Sequence, residues 1–232
     1  MEQRDVLVPM DTWESAFPGA VAGVLVMSGV ENPGESDGLE SRKRELEERV
    51  RERAGSLGPD GVAADPTVLA YVDYYRRHGK TYHVKAQWES VAVNGKPIPS
   101  RAALLEAMFM AELENMILTA GHDLAAVALP VRVQVTREGD RYVLMSGSER
   151  VLEAGDMTMV DGRGIVSSVL HGPDLRTRIT ADTREVLFAV YAPAGVGEAA
   201  VLDHLQDIRE NVLLVAPQAV TRLVASVAAP AR

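Results

Sequence analysis

Residues 130–145 read PVRVQVTREGDRYVLM. Apolar residues alternate at period two on either side of the polar REGD, which predicts a β-hairpin. Upstream the chain follows a different pattern. Residues 101–118, RAALLEAMFMAELENMIL, place Leu104, Leu105, Met108, Phe109, Leu113, Met116 and Ile117 on more than one helical face. That predicts a core helix, with Ser100 as its cap. Asp65, Pro66 and Gly79 frame VLAYVDYYRRH as a second helix. Residues 39–54 form a charged surface helix with a narrow stripe of Leu39, Leu46 and Val50, ended by Gly55. Its Glu45–Arg49 and Glu47–Arg51 pairs stand at i,i+4 with the acid first. Before these helices, FPG at residues 17–19 leads into AVAGVLVMSGV, a Val-rich run suited to a strand buried on both faces. Downstream of residue 145, MTMV, DGRG and GIVSSVL predict a second hairpin, and EVLFAVYAP a last strand. A helix over 198–212 and an Ala-rich tail frayed after Val220 complete the chain. Helices and strands segregate, so the fold class is α+β rather than an alternating parallel fold. No repeat and no convincing linker divides residues 1–232, which are read as one domain, with 221–232 disordered.

Composition excludes several functions. Without cysteine there is no disulfide, thiol nucleophile or thiolate metal site. The five histidines (His78, His83, His122, His171 and His204) show no metal-binding spacing. Glu112 and Glu114, two apart on a helix, point to different faces. No metal and no cofactor are therefore expected. MEQRDVLVPM lacks a basic segment followed by an apolar one, and no apolar run approaches the roughly 20 residues of a membrane span. The chain is read as soluble and cytoplasmic, with no membrane partner. A net charge of −9 argues against broad non-specific nucleic-acid binding and against DNA as a partner. The densest basic stretch, RRHGKTYHVK at 76–85, interleaves with Tyr74, Tyr75 and Tyr82. It reads either as a local RNA-binding patch or as a solvated helix end followed by a loop. Glu89, in QWES, reads as a solvated carboxylate on a strand.

Two polar segments carry the candidate chemistry. LTAGHD at 118–123 closes the apolar helix with Gly121 and sets an imidazole beside a carboxylate. His122 can position or deprotonate a water there, with Asp123 orienting it. Equally, Gly121 is a C-cap and the pair a hydrogen-bonded corner. HGPDLRTRITADT at 171–183 gathers Asp174, Arg176, Thr177, Arg178, Thr180 and Thr183 in a loop. Its guanidinium and hydroxyl groups suit a phosphate or ribose edge, or satisfy their own backbone. AGSLGPDG at 54–61 lacks the GK[ST] of a phosphate loop, and no serine sits in a GxSxG elbow.

The order of segments over 17–212 resembles the B3/B4 domain, the tRNA-editing domain of the phenylalanyl-tRNA synthetase β subunit, and free-standing proteins built on it. The resemblance is carried by FPG, YYRRHGKTY, LLEAMFMAELENMILTAGHD, the hairpin glycines and aspartates (Gly139, Asp140, Gly155, Asp156), DGRGIV and RTRITADTREVLFAVYAP. It implies a layered, β-sandwich-like sheet core flanked by helices. It also implies a pocket between sheet and helices for the aminoacyl-adenosine end of a mischarged tRNA. Position by position, Asp123 matches the family's aspartate. His122 replaces an aromatic residue, and Ala120 stands at the pocket histidine. Phe109 and Glu106 replace an asparagine and an aspartate. Tyr191 takes the place of the glutamate associated with the tyrosine hydroxyl.

On that resemblance the expected activity is hydrolysis, in trans, of the ester of mischarged aminoacyl-tRNA, with tRNA as partner. His122 and Asp123 would act on the water. Thr119, Tyr82 and Tyr191 would line the substrate pocket, with Arg176, Thr177 and Arg178 at the ribose-phosphate end. Arg76, Arg77 and Lys80 would contact the tRNA further out. The alternative is a non-catalytic module that binds an amino acid-like ligand, RNA or a protein partner. A hydrolase using a serine with His122 is the third reading.

Overall fold

The structure, a computed structural model, describes residues 1–57 and 61–231. Residues 58–60, over which the AGSLGPDG stretch runs, and Arg232 lie outside the described residues.

The chain opens with β1 (Leu7–Pro9), α1 (Asp11–Ala16) and β2 (Val21–Ser28). Four helices follow, α2 (Asp37–Leu57), α3 (Pro66–Arg77), α4 (His83–Ala92) and α5 (Ala103–Asn115), and then β3 (Thr119–Asp123). The strand-rich part holds β4 (Val131–Val135), β5 (Arg141–Val143), β6 (Glu149–Val151), β7 (Met157–Asp161), β8 (Gly164–Ser168), β9 (Gly172–Pro173) and β10 (Glu185–Ala192). Helix α6 (Glu198–Val215) and β11 (Val220–Ala228) end it. The fold is α+β. One sheet runs β11-β2-β10-β3, a second runs β1-β4-β7-β8-β9, and β5-β6 forms a separate ribbon.

Every residue of β2 is buried, because the strand is covered on both sides. Helix α6 packs on one face of its sheet. The second sheet meets the other face, where Ser167 of β8 reaches both His122 of β3 and Tyr191 of β10. Gly23 sets the approach of α6: a Cβ there would stand 2.6 Å from Val201 Cγ1 and 3.1 Å from Leu205 Cδ1. Helix α3 begins as the sequence predicts, with the Asp65 carboxyl accepting from the N–H groups of Thr67 and Val68 and Pro66 in the first turn. The β7–β8 hairpin also forms around DGRG.

Elsewhere the structure corrects the local reading. Residues 130–145 do not form a hairpin: β4 pairs with β7 and β1, while β5 pairs with β6. Alternation records which faces are buried and is silent about which strand lies alongside. Ala102, not Ser100, is the N-cap of α5, and the Ser100 hydroxyl instead meets Lys43 Nζ at 3.1 Å. The helix ends at Met116, whose φ of 58° supplies the left-handed cap expected of Gly121. Gly121 lies inside β3, where a Cβ would meet Ile179 Cδ1 at 2.7 Å. Helix α2 continues through Gly55 to Leu57, and Arg49 pairs with Glu114 on α5 rather than with Glu45. Glu89 lies on helix α4, ion-paired with Lys85. The expected tail becomes β11, which pairs with β2 from the far end of the chain.

Gly23→Val should destabilise the protein by about 1–3 kcal/mol through overpacking against α6. Urea unfolding checks this, with a lowered midpoint expected at an unchanged m-value.

Candidate functional site: a cavity at the edge of β3

Strand β3 is the edge of its sheet, α5 packs against it, and α4 packs against α5. Between these helices, β3 and the turn after β8 lies a cavity of about 600 Å³. Most of its wall is apolar, with Leu105, Met108 and Phe109 from α5 facing Leu118, Val169 and Pro173. A cavity of this size and lining is typical of a small-molecule site. Gln87, Glu112, Thr119 and Tyr191 supply polar groups, and the exposed Lys96 and Arg101 stand on the wall toward solvent.

Glu112 is shifted toward its neutral form at ordinary pH. It is buried within a helix of apolar residues, and burial pushes its carboxyl up to about 8, opposed by the Thr119 N–H that it accepts at 2.7 Å. At neutral pH it is therefore mostly protonated. The Gln87 Oε1 atom is buried and has no hydrogen-bond partner among the described residues. Such an orphaned acceptor costs free energy until something donates to it.

The Tyr191 phenol is tied into a buried chain of hydrogen bonds whose polarity follows from its far end. The Thr177 hydroxyl donates to Asp174 Oδ1, so toward His122 Nδ1, 2.7 Å away, its oxygen can only accept. His122 therefore carries its proton on Nδ1. Burial, helped by Arg176, lowers its pKa to about 4, so the ring is neutral and Nε2 is an acceptor. Ser167 donates to Nε2 across 3.2 Å and accepts from the Tyr191 hydroxyl. With its proton committed inward, the Tyr191 oxygen offers only lone pairs to anything reaching it from the cavity.

Two of the residues singled out from sequence, Thr119 and Tyr191, line the cavity. Thr119 is held by its neighbours, its hydroxyl 2.6 Å from His204 Nε2. The others lie elsewhere. His122 is fully buried between Thr177 and Ser167. Asp123 accepts from Ala125 N–H and from the Thr183 hydroxyl, in a structural corner. Tyr82 stacks on Tyr71 at 4.6 Å and donates to the Met116 carbonyl. Arg176 grips both oxygens of Asp161, at 2.9 and 3.0 Å, and Thr177 is buried in the chain above. Arg178 is exposed and bonds the Leu175 carbonyl. Arg76 pairs with Asp73, Arg77 is exposed, and Lys80 lines a separate, smaller cavity. Ala120, at the position of the family's pocket histidine, and Phe109, at that of its asparagine, are on the wall of this cavity. Glu106 turns away into a buried ion pair with Lys43, 3.1 Å long. Sequence reasoning took Glu112 only as a partner for Glu114 and passed over Gln87; the available signal was a carboxylate set among the apolar residues of the α5 core helix. Among the described residues, no group of three or more His, Asp or Glu side chains is placed to hold a metal ion.

No family model matches this chain. No curated protein matches it either. Among solved structures, it is similar to an N-terminal fragment of the phenylalanyl-tRNA synthetase β-subunit from Pyrococcus horikoshii, at 10% identity and a TM-score of 0.48. The match covers 92% of this chain and 49% of that one, so the chain spans about half the fragment's length. The chemistry of the cavity's own residues is the guide to its function.

Glu112 also predicts a pH dependence of stability. Its carboxyl titrates near 4.5 when unfolded and near 8 when folded. Between those values the folded protein holds a proton that the unfolded chain has released, so this residue's contribution falls as pH rises and levels off above about 8. Glu112→Gln should abolish that fall. Its gain over the parent, measured by urea unfolding, should be small below the unfolded pKa and on the order of a few kcal/mol above the folded one.

Proposed function

We propose that the chain is a binding domain whose cavity takes an amino acid-like ligand, an apolar body carrying an ammonium group. The observation that supports it is the acceptor character of the buried polar groups: the orphaned Gln87 oxygen, the Tyr191 lone pairs and the Glu112 carboxyl. A ligand ammonium donates to all three and stabilises the ionised form of Glu112, whose proton is released to bulk water, so that an ion pair forms in a low-dielectric site. The Met108 and Phe109 wall accepts the apolar body. Lys96 and Arg101 suit a carboxylate or an ester-linked phosphate chain at the exposed side. An aminoacyl group on a tRNA end has the same chemistry as a free amino acid here. Hydrolysis of its ester by His122 and Asp123 finds no support, because both side chains are engaged in structural bonds outside the cavity.

Calorimetric titration with free amino acids of apolar side chain, and with the matching acids that lack the amine, tests this. The amino compounds should bind and the des-amino acids bind at least about tenfold more weakly. Affinity should rise about tenfold from pH 6 to pH 7 as Glu112 ionises, and level off above about 8. Glu112→Gln should remove both the affinity and its pH dependence. Equal binding of the des-amino acids would refute the reading. Deacylation of an aminoacyl-tRNA that persists in Glu112→Gln and is lost in His122→Ala would restore the hydrolytic one.

A further inference from the structure

The turn after β8 has cavities on both sides. Ser168 and Val169 face the one described above, while Leu170 and His171 face a second, more polar one of about 230 Å³. Lys80, following α3, and Arg150, on β6, converge on it, with His78 beside them. Neither cation has a carboxylate within 4.0 Å among the described residues, in contrast to Arg49, Arg53 and Arg176. Arg150 Nε stands 3.4 Å from His171 Nδ1, donating to it, which leaves the His171 proton on Nε2. Burial, together with the charges of Lys80, Arg150 and His78 and against that of Glu153, lowers the His171 pKa to about 4. The imidazole thus sits in positive potential. The remaining acid of the wall, Asp156, is already occupied: Oδ1 accepts from Tyr74, and Oδ2 from Ser168 and from Leu170 N–H.

We infer that this second cavity is a binding site for a phosphate group. A guanidinium fork, an ammonium and an imidazole N–H are three kinds of donor converging on one small concavity, and two carry full charge. A tetrahedral dianion uses all of them, whereas a single carboxylate has too few oxygens to meet every donor. The volume suits a phosphoryl group with a few waters, each of about 30 Å³ in the liquid. The site stands apart from the amine-binding cavity, so Glu112→Gln should leave it intact.

The test follows His171 by NMR while inorganic phosphate is titrated into the full chain in a chloride background. Bound phosphate faces the imidazole and favours its protonated form, so the His171 pKa should rise by about one unit or more from its value near 4. The double variant Lys80→Gln/Arg150→Gln should lose at least about tenfold in phosphate affinity. Its circular dichroism and unfolding midpoint should match the parent, since both side chains lie on the surface of the cavity. Two further probes separate the sources of the phosphate. Binding of a nucleoside 5′-monophosphate but not of a diester dinucleotide assigns the site to a terminal phosphate of a small molecule. Binding of both assigns it to the backbone of a nucleic acid. A His171 titration unmoved by millimolar phosphate, or phosphate affinity unchanged in the double variant, overturns the inference.

Discussion

The eight residues of β2 bury both faces of an extended strand, and such a strand needs a layer on each side. Helix α6 supplies one and the β1-β4-β7-β8-β9 sheet the other. The two neighbours of β2, β10 and β11, satisfy its backbone and carry the sheet outward. The sheet stops at β3, only five residues long. Beyond that edge, the space left between α4, α5, β3 and the turn after β8 is the main cavity. The candidate site is thus a consequence of where the sheet ends.

Those features legible in the sequence were the ones settled within a few residues. The cap of α3 needs only Asp65 and Pro66, and the β7–β8 hairpin only DGRG. The burial of β2 on both faces was likewise visible in an unbroken Val-rich run. What escaped depended on distant partners. Strand β11 is ordinary Ala- and Val-containing sequence until it meets β2 nearly the whole chain away. Strand β4 shows its alternation but not that β7 and β1, rather than β5, flank it. The site followed the same rule. His122 beside Asp123 has the composition of a catalytic pair, yet exposure is a tertiary property, and the ring is sealed inside the core. Glu112 was weighed only against Glu114 as a pair, while burial in an apolar helix is what gives it unusual chemistry.

Charge is distributed unevenly for a chain that carries −9 overall. Many of its cations are spent on structure. Lys43 and Glu106 fasten α2 to α5 through a buried pair, Arg49 and Glu114 repeat the tie nearer the surface, and Arg176 closes on Asp161. Breaking a buried pair by removing one partner is far costlier than its net worth, so such cations are fixed in place. Against that background, Lys80 and Arg150 are conspicuous: among the described residues neither has a carboxylate within 4.0 Å, although Glu153 and Asp156 share the wall of the cavity that they line.

The chain of hydrogen bonds from Asp174 to Tyr191 separates the place where ligand polarity is decided from the place where it is felt. Thr177 and His122, 55 residues apart in sequence, pass on the demand of an acceptor at one end as an acceptor at the other. A group at position 174 that donated to the Thr177 oxygen, where Asp174 now accepts from its hydroxyl and its N–H, would turn each link around, moving the imidazole proton to Nε2 and the phenol proton toward the cavity. A lineage carrying this fold therefore has a route to a new class of ligand in which no residue of the cavity wall changes. Comparing the walls of two such proteins would then miss the difference between them.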